Sequence, residues 1–111
     1  MQTTLKILII RFSSIGDIIL TTPIIRCLKK QLNADIDFLI KSQYSTLLHA
    51  NPNINKIIPV GDNAKSTLEI LHSNKYDFVI DLQNNLRSLK LRLALGVKSY
   101  VYSKQNFKRY V

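Results

Sequence analysis

The chain has 111 residues, of which 46% are hydrophobic and 21% charged, as in a single globular domain. This composition argues against a disordered protein, and we expect the length to exclude a complete two-domain enzyme. Lys and Arg number 16 against 7 Asp and Glu, and the formal net charge of +9 favours an anionic partner. The single cysteine, Cys27, excludes an intramolecular disulfide and a thiolate metal cage.

Strands and helices are predicted to alternate in chain order. Runs of β-branched and other apolar residues predict strands at 6–12, 35–40, 56–60, 78–82 and 98–102. Amphipathic spacing predicts helices over 17–32, 42–50, 62–73 and 86–95, and a further segment begins at 105–111. Because such strands and helices form right-handed βαβ units, the predicted fold class is α/β, a Rossmann-like parallel sheet with helices on both faces.

Two helices carry more specific expectations. Pro23 predicts a kink in 17–32, or a helix that restarts with Thr22 as N-cap and Pro23 at its first position. The helix over 86–95 is expected to end at Gly96. Helical spacing puts Leu86, Leu89 and Leu93 on one face of it.

Apolar runs and histidine spacing bear on location and on metal binding. The N-terminal apolar run, 7–10, is shorter than the roughly 7–15 residues of a signal peptide. No run approaches the roughly 18 residues of a membrane helix, so we expect a cytoplasmic protein. His49 and His72 lack the short spacing of a metal-binding pair, and we predict no metal site.

Two loops follow predicted strands at the edge of the sheet where ligands bind in such folds, 11–17 and 81–85. The first offers two hydroxyls and a glycine before a helix start, where backbone N–H groups can hold an anion. Gly16, Gly61 and Gly96 are too far apart for a dinucleotide fingerprint, and no Walker lysine follows the loop. Asp17 either caps the helix or accepts a proton from a substrate hydroxyl. Asp81 is either a ligand-facing group or a carboxylate bonded to nearby backbone amides.

Positive charge is concentrated at the end of the chain, where residues 86–111 hold seven basic side chains and no acidic one. They are Arg87, Lys90, Arg92, Lys98, Lys104, Lys108 and Arg109. One reading is a solvated helix face with a basic end. The other is a patch for a phosphate-rich ligand, a lipid headgroup or nucleic acid.

Two blocks of sequence suggest a family. The first is KILIIRFSSIGDIILTTPIIRCLKK, in which a strand and a basic residue precede a Ser-Ser-x-Gly-Asp turn and an apolar stretch with Thr-Pro. The second is YDFVIDLQNNLRSLKLRLALGVKSY, with Asp-Leu-Gln at a strand end, an Arg-Ser pair and a leucine-rich helix closed by glycine. Together they closely resemble the ADP-heptose:lipopolysaccharide heptosyltransferases, glycosyltransferase family 9. Positions 84 and 85 are Asn, where many members of that family have glycine or another small residue.

The resemblance implies a two-domain GT-B architecture in which residues 1–111 form the N-terminal, acceptor-side domain. The donor-binding domain is absent from this sequence, so we expect the isolated chain to be inactive. The resemblance also makes Asp17 the general base that deprotonates the acceptor hydroxyl. The oxygen then attacks the anomeric carbon, ADP leaves and the configuration inverts, without a metal.

Other site residues also follow from the resemblance. Ser13, Ser14 and Gly16 are expected to shape the turn near substrate oxygens. Arg11 and Arg87 are expected to hold a phosphorylated acceptor, with Lys90 as a further candidate.

The resemblance names partners as well. The donor is a nucleotide sugar such as ADP-heptose, with no separate cofactor, and the acceptor is the phosphorylated lipopolysaccharide core on lipid A. We expect a cytoplasmic protein, peripheral at the inner face of the bacterial inner membrane, with no nucleic acid bound. Two other readings stay open: a non-catalytic, flavodoxin-like module that binds an anion or phosphosugar, and a basic protein of nucleic acid or membrane surfaces.

Overall fold

A five-stranded parallel sheet is the centre of the fold. The computed structural model describes residues 4–13, 15–61 and 63–101. In chain order the strands are β1 (Leu5–Ile10), β2 (Ala34–Lys41), β3 (Lys56–Val60), β4 (Phe78–Asp81) and β5 (Lys98–Val101). Their order across the sheet is β3-β2-β1-β4-β5, and every neighbouring pair is parallel. The predicted α/β fold class is confirmed.

Helices cover both faces of this sheet. They are α1 (Ile15–Leu20), α2 (Thr22–Leu32), a 3₁₀ helix (Ser42–Leu48), α3 (Ala64–Asn74) and α4 (Leu86–Leu95). The first three pack on one face through Ile18, Ile25 and Leu48. The other two pack on the opposite face, where Leu71 and Leu91 contribute to a second core. Because β1 lies between both layers, all its residues from Ile7 to Ile10 are fully buried.

The helix predicted over 17–32 is two helices, as Pro23 suggested. Thr21 is the N-cap of α2, one residue before the predicted cap, and Pro23 lies in its first turn. A missing N–H is tolerated there because the first turn has no intrahelical acceptors for its amides. The Thr21 hydroxyl donates to the Ile18 carbonyl at 2.5 Å and so closes the end of α1.

The helix α4 has the predicted bounds and buries one face. Leu91, Leu95 and Ser88 are buried, whereas 65% of Leu86 and 72% of Leu93 is exposed. The face that carries Leu86, Leu89 and Leu93 is therefore not the buried one. Asn85 and Ser88 form a reciprocal capping box that fixes how the helix starts and turns Ser88 toward the sheet. Gly96 ends the helix with φ of 68°, as predicted, and the segment 105–111 lies outside the described residues.

A buried polar cluster joins β2 to the segments that come directly before β3 and β4, away from the loops predicted to bind ligand. The Tyr76 hydroxyl donates to Asp37 Oδ2 at 2.6 Å, and Asn55 Nδ2 donates to Asp37 Oδ1 at 3.1 Å. Burial raises the pKa of Tyr76 well above its ordinary value, and the hydrogen bond and charge of Asp37 act in the same direction. The phenol therefore stays protonated over the physiological range.

Candidate functional site

The two loops singled out in the sequence lie side by side at the carboxyl edge of the sheet. They follow β1 and β4, which are adjacent strands. The backbone N–H groups of Leu82 and Gln83 both donate to the Ile10 carbonyl, at 3.0 and 3.1 Å. The prediction that these loops share one edge is confirmed.

Arg11 and Asp17 form an ion pair within the first loop. Arg11 Nη2 donates to Asp17 Oδ2 at 2.6 Å, and only 12% and 15% of the two side chains is exposed. Arg11 Nη1 donates to the Leu82 carbonyl at 2.6 Å, which ties the guanidinium to the second loop. A charge-assisted pair shielded from water gives Asp17 a defined orientation at the start of α1.

Gln83 links the second loop to the first. Its Oε1 accepts hydrogen bonds from the backbone N–H groups of Phe12, at 3.0 Å, and Ser13, at 3.5 Å. Because Phe12 is almost completely buried, its N–H needs an acceptor from the protein. The side chain of Gln83 supplies it.

Asp81 is fully buried and anchors the loop that carries Gln83. Its Oδ1 accepts from the N–H groups of Gln83 and Asn84, at 3.0 and 2.9 Å. Its Oδ2 accepts from Arg92 Nε on α4 at 2.8 Å. Asp81 is thus the carboxylate bonded to backbone amides that the sequence left as one alternative, and Arg92 is not a solvated helix charge.

The two asparagines at 84 and 85 suit this backbone. Asn84 has φ of 50°, in the left-handed region that glycine adopts readily and asparagine tolerates better than most residues. Asn85 is the N-cap of α4, and its side chain accepts from the Ser88 N–H at 2.9 Å. The two residues therefore make the same turn without a glycine.

Arg87 lies on the exposed face near the same edge. Its guanidinium is 5.3 Å from the centre of the Phe12 ring and donates to the Gly61 carbonyl at 3.4 Å. Beside it, a pocket of about 110 Å³ opens between α3 and α4. The pocket is lined by Arg87, Lys90, Val60, Thr67, Leu68 and Leu91. Two cations at the mouth of a small apolar pocket can hold the phosphate of a larger ligand.

The remaining predicted site residues fall in or beside the first loop. Ser13 is partly buried, and Gly16 is exposed in the first turn of α1. A Cβ added at Gly16 would meet no atom of the described residues within 4 Å, so their packing does not require glycine there. Ser14 lies outside the described residues.

The sequence did not predict the contacts that Gln83 and Arg92 make within the protein. Gln83 stood inside the second loop, but nothing in the sequence shows that its amide reaches the backbone of Phe12. Arg92 is one turn after Ser88 and next to Leu91, so the buried face 88-91-95 would have pointed to it. The sequence did not indicate this face, because Leu86, Leu89 and Leu93 form an alternative apolar face on the same helix.

Metal-binding clusters and membrane-spanning helices are both missing from the described part of the chain. No three His, Cys, Asp or Glu side chains among residues 4–13, 15–61 and 63–101 are grouped so that they could hold a metal ion. Within those same ranges, every helix is too short or too polar to cross a membrane.

Comparison with known proteins shows which proteins the chain is similar to. No family model matches the chain. It is 35% identical over 78 residues to lipopolysaccharide heptosyltransferase 3 of Escherichia coli, covering 60% of this chain and 23% of that protein. A glycosyl transferase family 9 structure from Veillonella parvula superposes with a TM-score of 0.76 and 27% identity, covering 100% of this chain and 36% of that one. The chain is similar in sequence and in fold to proteins of glycosyltransferase family 9.

A second solved structure agrees with this similarity. ADP-heptose lipopolysaccharide heptosyltransferase II of E. coli matches with a TM-score of 0.76 and 26% identity, over 96% of this chain and 32% of that one. The family resemblance noted in the sequence is confirmed. The chain spans less than two fifths of the length of each of these three proteins.

Proposed function

We propose that this chain is the acceptor-side domain of a glycosyltransferase. The enzyme transfers a heptose or a related sugar from a nucleotide sugar such as ADP-heptose to the lipopolysaccharide core. Support comes from the family similarity and from the named activities of the heptosyltransferases that the chain resembles. A donor-binding domain is needed for transfer, because most of the rate of a two-substrate reaction depends on holding both reactants together.

Asp17 is the general base in this proposal. It takes the proton from the acceptor hydroxyl as the acceptor oxygen forms a bond to the anomeric carbon of the donor. The bond from that carbon to the phosphate oxygen breaks on the opposite side, ADP leaves with the electron pair, and the configuration inverts. No metal takes part in this proposal, which rests here on the family resemblance.

The Arg11–Asp17 pair is the observation that carries the proposal. A base must be held within about 0.5 Å of its productive position. A contact of 2.6 Å to a guanidinium that is itself bonded to Leu82 provides such a restraint. At the same time 15% of the Asp17 side chain stays exposed, so a hydroxyl can reach it. In this proposal Arg11 therefore orients the base, and other cations bind the acceptor phosphate.

Arg87 and Lys90 bind the acceptor phosphate in this proposal. They lie together at the pocket between α3 and α4, and no acidic residue occurs after position 81 in the sequence. Replacing both by Gln removes two charge-assisted contacts and weakens binding of a deacylated, phosphorylated core oligosaccharide by about tenfold or more. Titration of the 111-residue chain measures this affinity. Lys30→Gln on α2 is the matched control, and an equal loss there would contradict the assignment.

The transfer itself is tested with a fusion in which this chain replaces the part of the Veillonella parvula protein that it matches. We expect the fusion to release ADP from ADP-heptose in the presence of the deacylated core, and the isolated chain to release none. Excess EDTA leaves the rate unchanged, and NMR of the product shows the inverted anomeric configuration. The unaltered Veillonella protein is the control for substrates and conditions.

Each result of that experiment bears on one part of the proposal. Turnover by the isolated chain would contradict the need for a donor-binding domain. Product with retained configuration would contradict direct displacement by the acceptor oxygen. A folded fusion that binds the core but releases no ADP, under conditions in which the unaltered Veillonella protein turns over, would instead support the alternative of a non-catalytic module.

The proposal also places the protein on the cytoplasmic side of the inner membrane, as a peripheral protein. Exposed Leu86 and Leu93 lie on α4 together with the cations Arg87 and Lys90, a combination that suits an anionic lipid surface. Vesicles containing phosphatidylglycerol should sediment the chain, and neutral phosphatidylcholine vesicles should not. Equal binding to both kinds of vesicle, or to neither, would contradict this placement.

A further inference from the structure

We propose that Gln83 is a positioning residue for the turn that carries Asp17. No other contact described between the two loops joins a side chain of the β4 loop to backbone N–H groups of the β1 loop. The inference rests on the proposed role of Asp17, but its geometric part concerns the turn alone.

The contacts form a continuous path from α4 to the turn. Arg92 donates to Asp81, and Asp81 accepts from the N–H of Gln83 at 3.0 Å, so the backbone of Gln83 is fixed from the buried side. Gln83 Oε1 then accepts from Phe12 and Ser13, the two residues that directly follow Arg11. Both ends of the Gln83 side chain are thereby defined.

The backbone of Arg11 and Phe12 is also bonded to Leu39 and Lys41 on β2. A further restraint on this turn is the pair between Arg11 and Asp17. That pair fixes the distance between two side chains, whereas Gln83 fixes the backbone between them. Without the Gln83 oxygen, the buried N–H of Phe12 loses its acceptor, and the backbone must shift to find another. Asp17 lies five residues after Phe12, in the first turn of α1, so we expect such a shift to move its carboxylate.

The test compares three variants of the 111-residue chain by NMR. Gln83→Met keeps the length of the side chain and removes the acceptor, whereas Gln83→Glu keeps an acceptor oxygen. Gln31→Met, on the exposed surface of α2, is the matched control. The measurements are amide hydrogen exchange at Phe12 and Ser13 and the ¹³C shift of the Asp17 carboxylate, with Ile9 and Phe38 as references for global opening.

We expect Gln83→Met to accelerate exchange at Phe12 by at least tenfold and to move the Asp17 carboxylate signal. Ile9 and Phe38 should stay as in the parent, and Gln83→Glu should restore both signals. Equal acceleration at Ile9 and Phe38 would show a merely structural role and overturn the inference. It would equally be overturned if the Asp17 signal in Gln83→Met matched that in Gln31→Met. None of these readouts depends on transfer activity, so failure of the proposed function is detected separately.

Discussion

Arg11 makes contacts within the protein that suggest a role other than the one the family resemblance implied. The family resemblance made it a ligand for the acceptor phosphate, but its two terminal nitrogens bond to Asp17 and Leu82. We therefore predict that Arg11→Met acts on the base and not on acceptor binding. In the fusion, kcat should fall by about tenfold or more, because the pair that orients Asp17 is lost. Steady-state kinetics that showed a raised acceptor KM with unchanged kcat would restore the original assignment.

Tyr76 supports a second prediction at the residue scale. Tyr76→Phe removes the hydrogen bond to buried Asp37 and should lower the free energy of unfolding at pH 7 by about 1–3 kcal/mol. In the parent, the raised pKa of Tyr76 keeps the phenol protonated in the folded state, whereas the unfolded chain loses that proton above about pH 10. The unfolded state then binds fewer protons, so stability falls as the pH rises above that value.

Urea unfolding of the parent and of Tyr76→Phe at pH 7 and above pH 10 measures both effects. The difference in the free energy of unfolding between the two proteins should become smaller at the higher pH. Only the parent has a phenolic proton at position 76 that its unfolded state can lose. A difference that stays constant over this range would contradict the role of burial at Tyr76.

At the scale of elements, α4 gives a direct test of which face is buried. Leu91→Ala should lower the free energy of unfolding by about 2–5 kcal/mol, because Leu91 is buried in the second core. Leu93→Ala, two residues later and mostly exposed, should change it by less than about 0.5 kcal/mol. Denaturant unfolding of the two variants makes the comparison. A larger loss of stability in Leu93→Ala would indicate that the face with Leu86, Leu89 and Leu93 is the buried one.

The ion pair between Arg92 on α4 and Asp81 on β4 gives another test. Arg92→Met leaves Asp81 buried without its cation and should lower the free energy of unfolding by about 3 kcal/mol. Arg26→Met, on the exposed surface of α2, is the control and should change little. If both variants unfolded at the same urea concentration as the parent, the ion pair would not contribute to stability.

The order and type of most elements could be predicted because they depend on local signals. The continuous apolar run of β1, the isolated Pro23 and the terminal Gly96 each act within a few residues of themselves. The observed bounds of β3 and α4 are the same as the predicted ones. The segment over 42–50 was predicted as a short helix without its type, and the structure has a 3₁₀ helix there.

The site was predicted only in its location. Two loops at the carboxyl ends of strands must share an edge once the sheet is parallel, so the sequence could place Asp17 beside the β4 loop. The hydrogen bonds of Gln83 and Arg92 span sequence separations of 71 and 11 residues, and no local pattern encodes such distances. Side chains that reach across loops can be found only after the backbone is known.

At the scale of the whole molecule, both faces of the sheet are covered and its carboxyl edge carries the candidate chemistry. Asp17, the proposed base, lies on α1, which packs on one face of the sheet, and Arg87 and Lys90 lie on α4, which packs on the other. This arrangement suits an acceptor with both a hydroxyl and a phosphate. The formal net charge of +9 agrees with an anionic ligand of this kind.

The most direct test of the central claim is the effect of Asp17→Asn on turnover in the fusion. We expect kcat to fall by at least about 100-fold, because the amide cannot take the proton, while the affinity for the deacylated core stays within about twofold. Asp35→Asn, which alters a partly exposed carboxylate far from the edge on β2, should leave both quantities unchanged. Turnover by Asp17→Asn at the rate of the unaltered fusion would contradict the assignment of Asp17 as the base.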